Sequence, residues 1–136
     1  EQMKLTDEQK QRITEALGHS LGALRARIDG VEVKFDVRSC GNLQYVIVPF
    51  VDGAFKGGWL SPDCEEFGAR LLSASKRRVI QKKEVAVWRK LNKKRAAELD
   101  ARRVTVKDFF RDPRKLVTHL QREFDSFEIL EADQNV

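Results

Sequence analysis

Apolar residues in the first part of the chain follow a helical spacing. Thr6 and Gln9 have the spacing of a capping box, in which each side chain bonds the backbone of the other residue. Apolar residues then recur at steps of three and four up to Asp29-Gly30, and this spacing predicts one helix of about six turns. The apolar positions are Ile13, Leu17, Leu21, Leu24 and Ile28.

A strand-like alternation begins directly after Gly30. The apolar residues Val31, Val33, Phe35 and Val37 alternate with Glu32, Lys34, Asp36 and Arg38. Successive side chains of a strand point to opposite faces, so the alternation predicts a strand with one face in water. Cys40-Gly41-Asn42 favours a turn, and the apolar run from Leu43 to Val51 then predicts a central strand.

A hairpin is predicted at Asp52-Gly53. A type I′ turn needs positive φ at both central residues, and these two residue types tolerate it. We therefore expect Ala54 to Leu60 to return as a third strand of an antiparallel meander. Gly57-Gly58 weakens the pairing there, which is typical of a bulge or of a close approach of another backbone.

The middle of the chain is predicted to be helical. Ser61-Pro62-Asp63 combines an N-cap hydroxyl, a proline suited to the first helical turn and an acid near the positive end of the helix dipole. Neither glycine nor proline occurs from Ala69 to Lys107. This run predicts either one helix of about 55 to 60 Å or two helices with a bend between Ser73 and Val79.

The C-terminal segment predicts shorter elements. Thr105 with Asp108 suggests a new helix cap, and Asp112-Pro113 starts a further helix. We expect 127–130 to form a last strand and 131–136 to fray. The residues that the last helix is expected to bury are Leu116, Val117, Leu120 and Phe124.

The predicted fold class is α+β, with an N-terminal helix, a three-stranded antiparallel meander, a long basic helix and short C-terminal helices. If 127–130 joins the meander, the sheet has four strands with helices on one face. The length of 136 residues fits a single domain, 1–136. The apolar fraction of 41% and charged fraction of 35% are typical of globular chains. No apolar run reaches the roughly 18 residues of a membrane span, and no signal-peptide core is present, so a cytoplasmic location is expected.

Positive charge is concentrated between Lys76 and Arg103. These 28 residues contain twelve Lys or Arg against three acids, a net charge of +9, whereas the whole chain is +5 and the other 108 residues sum to −4. Helix faces that only need solubility usually mix both signs. An unbalanced segment therefore favours a partner of opposite charge.

A helical wheel over this segment separates charge from apolar residues. Apolar residues fall within one arc, and eight cations share the opposite arc. Glu84 and Glu98 fall on the apolar side beside Arg77 and Arg95, with which they are expected to pair. The row from Lys76 to Lys94 would be about 27 Å long at helical rise. The eight candidate binding residues are Lys76, Arg78, Lys82, Lys83, Arg89, Lys90, Lys93 and Lys94.

Three interpretations of this basic face follow. It could contact the phosphates of DNA or RNA without reading bases, because no Asn- or Gln-rich face accompanies it. It could dock on an acidic protein surface, as an inhibitor or adaptor module would, or it could be a solvated face and nothing more. A membrane surface is disfavoured, because the apolar arc is needed to cover the sheet.

Two other groups of residues are weaker candidates for a functional site. Lys56 and Trp59 flank Gly57-Gly58 and could present a cation and a stacking ring to a nucleotide, although a core aromatic is the commoner role. Glu32 and Lys34, with Asp36 next along the face and Glu15 upstream, have the spacing of a metal-dependent nuclease and also that of an ordinary wet strand face. The pattern makes catalysis a minor alternative.

No cofactor and no metal are assigned. The chain lacks a P-loop, a dinucleotide-binding glycine motif and an HExxH motif. His19 and His119 are too far apart in sequence to form a local metal pair. Cys40 and Cys64 lack CxxC partners and are expected to be free thiols.

Overall fold

A computed structural model describes residues 3–132 and has an α+β fold, which confirms the predicted class. Its main sheet is antiparallel with strand order β3-β2-β1-β6, and a separate two-stranded ribbon pairs β4 with β5. Two 3₁₀ segments, Gly57–Leu60 and Phe67–Leu71, join the sheet to the ribbon. The remaining elements are α1 (Asp7–Leu17), β1 (Ala23–Ile28), β2 (Val31–Gly41), β3 (Gln44–Val51), β4 (Ser73–Arg78), α2 (Lys82–Leu91), α3 (Lys93–Ala101), β5 (Arg103–Asp108), α4 (Pro113–Glu123) and β6 (Phe127–Ala132).

The first helix is shorter than predicted. The capping box is present, with Gln9 N donating to Thr6 Oγ1 at 3.1 Å, but the helix ends at Leu17 and the chain becomes β1 at Ala23. Leu24, Ala26 and Ile28 are buried while Arg25 and Arg27 are exposed, which is a strand alternation. The prediction of six helical turns was wrong because Leu24 and Ile28 fit the three-to-four-residue spacing of a helix and also the two-residue spacing of a strand.

The sheet buries one face beneath two helices. Phe35 on β2, Leu24 on β1 and Leu120 on α4 belong to one apolar core to which α1 also contributes. The solvent-exposed face carries residues of both charges, which form ion pairs; Arg27 Nη1, for example, lies 3.5 Å from Glu128 Oε2. β6 pairs with β1, which confirms the predicted fourth strand, and it extends to Ala132, so residues 131 and 132 are ordered. The rest of the segment predicted to fray, 133–136, lies outside the described residues.

The third predicted strand does not form. Asp52 and Gly53 have φ of 51° and 79°, as the predicted turn requires, and Val51 pairs with Ala54. The chain then leaves the sheet, and Gly57-Gly58 begin a 3₁₀ turn rather than a bulge. The three-stranded meander consists instead of β1, β2 and β3.

The predicted long basic helix is replaced by four elements. Residues after Ser61-Pro62-Asp63 form turns and a 3₁₀ segment, and 73–78 is a strand. Two short helices follow, and Thr105 with Asp108, expected to cap a helix, lie in β5. Lys and Arg favour helices only weakly, by tenths of a kcal/mol, and this preference does not prevent 73–78 from pairing with 103–108 as an antiparallel ribbon.

Gly68 is required by a neighbouring aromatic ring. A Cβ at this position would lie 2.3 Å from Cε2 of Trp59, a buried ring whose Nε1 donates to Glu66 at 2.7 Å. We expect Gly68→Ala to lower the free energy of unfolding by about 1–3 kcal/mol, measured by urea denaturation. Gly57→Ala is the matched control, because nothing lies within 4 Å of its Cβ. Equal effects of the two substitutions would contradict this packing.

Candidate nucleic-acid interface

The basic segment forms an arm, defined here as residues 73–108. Its base is the ribbon of β4 and β5, paired from Ser73 with Asp108 to Arg78 with Arg103. Five steps of extended chain make the ribbon about 17 Å long. Eleven of the twelve cations between Lys76 and Arg103 lie on the ribbon or on the helices that cap it, and Arg102 is the residue that joins α3 to β5.

A helical hairpin forms the tip of the arm. Asn92 ends α2 and also caps α3, where its Oδ1 accepts from Arg95 N at 3.1 Å. Its extended φ of −159° turns the chain within one residue, so α2 and α3 pack against each other. Val85 on α2 and Leu99 on α3 are buried. The arm therefore has a small core of its own.

The structure distributes the eight candidate binding residues over three elements. Lys76 and Arg78 lie on β4, a strand in which successive side chains alternate between faces. Because β4 is a strand and Asn92 separates α2 from α3, the segment is not one continuous helix. The prediction of a single 27 Å row of cations was therefore wrong. The other six are Lys82, Lys83, Arg89 and Lys90 on α2, and Lys93 and Lys94 on α3.

Asp100 contacts two of these cations and offsets one of their two charges. Its carboxylate forms an ion pair with Arg78 and lies 4.0 Å from Arg89. The hydrogen bond from Arg78 lowers the pKa of Asp100 below its ordinary value, so the carboxylate stays ionised. The wheel did not place Asp100 next to Arg78, because the two residues are 22 positions apart and meet only through the hairpin.

The two predicted ion pairs had different outcomes. Arg95 Nη1 lies 3.5 Å from Glu98 Oε2, which confirms that pair. Glu84 does not lie within 4.0 Å of Arg77, because Arg77 is on β4 and not on the same helix as Glu84. Within the described range, no carboxylate lies within 4.0 Å of six of the eight candidates. These six are Lys76, Lys82, Lys83, Lys90, Lys93 and Lys94.

A basic groove opens on one side of the arm. Ala97 and Ala101 of α3 lie in it, and Arg89, Lys93 and Arg103 border them together with Asp100. The concavity has a volume of about 420 Å³. The small alanine side chains let a ligand backbone approach α3 closely. Arg103 was not among the predicted residues; it follows Ala101 by two positions and begins β5 beside this groove.

A second basic concavity lies where the arm joins α4. It measures about 380 Å³ and begins at Ser73 and Ala74. Burial lowers the pKa of His119 in its wall, and a neutral ring donates from Nε2 to the Arg70 carbonyl at 2.7 Å. The cationic residues that line it are Arg114, Lys115 and Arg122. None of these three was predicted, because on a helical wheel they form an ordinary solvated face.

Apolar side chains on the arm are unusually exposed. Five of the eight large apolar residues exposed in the described part of the chain lie on it: Val79, Val87, Trp88, Leu91 and Val104. The apolar arc was expected to cover the sheet. Instead α2 packs mainly against α3, so this argument against an exposed membrane-binding face was wrong.

Trp59 occupies a small second core. It is 4% exposed, and its ring meets that of Phe55 edge to face at 5.2 Å. The ring is therefore covered by protein and has no free face for a base, in keeping with the core role considered for it. Lys56 is exposed, but it has no stacking partner in the Trp59 ring.

The nuclease-like residues are engaged in ion pairs. Glu32 pairs with Arg25, and hydrogen bonding by that arginine lowers the pKa of Glu32. Lys34 lies 3.6 Å and Arg38 3.2 Å from Asp36. Residues 3–132 contain no group of three His, Cys, Asp or Glu side chains arranged to hold a metal ion. The charged residues of β2 are thus paired either with each other or with Arg25 on β1.

The remaining sequence candidates are isolated. Cys40 is exposed and Cys64 half-buried, and both are free thiols. Helices long and apolar enough to cross a membrane do not occur between residues 3 and 132. No protein-family model, curated protein or solved structure matches the chain. The arm is therefore the strongest candidate for a functional site.

Proposed function

We propose that the protein binds nucleic acid without catalysing a reaction, using the cations of the arm to contact backbone phosphates. The observation that carries the proposal is the set of six arm lysines that have no carboxylate within 4.0 Å among the described residues. The exposed face of the main sheet differs, because its arginines pair with glutamates on neighbouring strands. Charge of one sign is concentrated on the arm.

Phosphate contact explains this arrangement physically. Neutralising phosphates releases condensed counterions, which supplies affinity without base readout. The groove floored by Ala97 and Ala101 gives a strand room to approach, and Arg89, Lys93 and Arg103 border it. Asp100, which also lines the groove, forms an ion pair with Arg78 and lies 4.0 Å from Arg89.

A second candidate is docking on an acidic protein surface. The exposed apolar residues of the arm favour it, because interfaces bury apolar anchors within a polar rim. Such a module would depend on a few single residues and on one dominant protein partner. Phosphate binding instead depends on the number of cations and on the salt concentration.

The test compares two variants of equal charge. Lys82, Lys83, Lys90 and Lys94 are changed together to Gln on the arm, and Lys4, Lys10, Arg12 and Arg111 are changed to Gln outside it. Each variant lowers the formal net charge from +5 to +1. We expect the arm variant to bind a labelled oligonucleotide at least about tenfold more weakly at low salt, and the second variant to bind like the wild type.

The chosen lysines leave the arm intact. All four are exposed, whereas Arg78 and Arg89 are excluded because they contact Asp100. Circular dichroism shows whether both variants keep the helical content of the wild type. Equal loss of affinity in both variants would indicate a response to net charge alone and would contradict a binding site on the arm.

A further inference from the structure

Three residues of α2 form an apolar stripe that faces solvent. Val87, Trp88 and Leu91 are 59%, 40% and 74% exposed. Positions 87 and 91 are four residues apart and 88 and 91 three, so the side chains share one face of the helix. Val85, the buried residue of the same helix, lies three positions before Trp88 and next to it, so the stripe borders the packed face of α2 on that side. Val87 and Leu91 lie farther round the helix and are mostly exposed.

Cations border this stripe. Lys83 precedes Val87 by four positions and Lys90 follows it by three, so both lie next to Val87 on the helix surface. The two lysines are about 10 Å apart along the axis. Glu84 precedes Trp88 by four positions and lies beside that ring, so the two lysines border the stripe on the Val87 side. A ligand with negative charge next to apolar surface matches that side.

We propose that the stripe binds single-stranded nucleic acid, with a base stacked on Trp88 and phosphates of the same strand on Lys83 and Lys90, which lie across Val87 from that ring. This inference rests on the proposed function and specifies its ligand class. A duplex keeps its base faces stacked inside, so it offers no ring face to Trp88 and would leave the stripe exposed to water. A single strand, DNA or RNA, exposes base faces and phosphates at every nucleotide, and stacking contributes about 1–3 kcal/mol per base.

The experiment uses the full chain with four probes. They are oligothymidine and oligouridine of about 12 nucleotides, a duplex of the same length, and vesicles of phosphatidylcholine with phosphatidylserine. Tested variants are Trp88→Ala, Trp88→Leu and Trp88→Phe. Tyr45→Ala is the control, because Tyr45 is also exposed, at 38%, but lies on β3 outside the arm.

We expect Trp88→Ala and Trp88→Leu to lower affinity for the single strands about 5- to 150-fold. Trp88→Phe keeps a flat ring and stays within about threefold of the wild type, as does Tyr45→Ala. The fluorescence of Trp88 falls on binding, whereas that of the buried Trp59 does not change. A preference for oligouridine or for oligothymidine identifies which single strand the stripe favours.

Other results overturn the inference in distinguishable ways. If the duplex binds as tightly as the single strands and Trp88→Ala has no effect, stacking is wrong while phosphate binding by the arm stands. Binding to vesicles but to no oligonucleotide would assign the stripe to a membrane surface and remove both proposals. Binding to no probe would also remove both, and an acidic protein would become the partner to seek.

Discussion

Replacing residues 79–102 by an Asn-Gly turn is expected to abolish nucleic-acid binding while the rest of the protein stays folded. Arg78 and Arg103 are the last paired residues of the ribbon, so a two-residue type I′ turn can connect them directly. The excised residues include α2, α3 and five of the six unpaired lysines. Affinity should fall at least about 100-fold at low salt.

The rest of the protein should stay folded after this excision. Its main core is formed by residues of α1, α4, the four-stranded sheet and the second 3₁₀ segment, and none of 79–102 belongs to it. The denaturation midpoint should therefore stay close to that of the wild type. The excision lowers the formal net charge from +5 to 0, and the Lys4, Lys10, Arg12 and Arg111 variant, at +1, is the nearest control for lost charge. Retained binding after excision would place the site outside residues 79–102 and contradict binding by the six unpaired lysines, of which only Lys76 remains.

Phe35→Ala is expected to produce the largest loss of stability. Phe35 is 1% exposed on β2 and is paired across the sheet with Leu24 on β1 and Pro49 on β3. Truncation leaves a cavity beneath α1 and α4, because both neighbouring strands hold the backbone in place. Such a change costs about 3–5 kcal/mol, out of a total near 5–15 kcal/mol for a domain.

Denaturation in urea measures this effect. Leu91→Ala is the control, since its side chain is exposed on the arm and its loss should change stability by less than about 0.5 kcal/mol. If Phe35→Ala matched Leu91→Ala, the sheet would not be the main source of stability. If Leu91→Ala were the more damaging change, the arm would be packed far more tightly than the structure shows.

Elements with one clear period were predicted correctly from sequence. The alternation along β2 and the Asp112-Pro113 start of α4 were found because each pattern agrees with only one type of structure. Leu24 and Ile28 of β1 fit both periods. Gly22, just before β1, lies where the chain passes close to the end of α1, since a Cβ at Gly22 would lie 2.0 Å from the carbonyl oxygen of Ala16.

The arm was predicted in composition but not in shape. Charge segregation between Lys76 and Arg103 is visible in the sequence, and all of these residues lie on the arm. The pairing of β4 with β5 joins residues up to 35 positions apart, and local propensity does not encode such contacts. The salt bridge between Arg78 and Asp100 depends on the same pairing. The groove could therefore not be assembled from a helical wheel.

The most direct measurement is the salt dependence of oligonucleotide binding by the wild type and by the arm variant with Lys82, Lys83, Lys90 and Lys94 changed to Gln. If the six unpaired lysines contact phosphates, the plot of log K against log salt for a single strand should have a slope near about −4. The arm variant should reduce its magnitude by as much as about 3, and the variant outside the arm should leave it unchanged. A slope near zero, or the same slope for the wild type and the arm variant, would contradict phosphate binding by the arm.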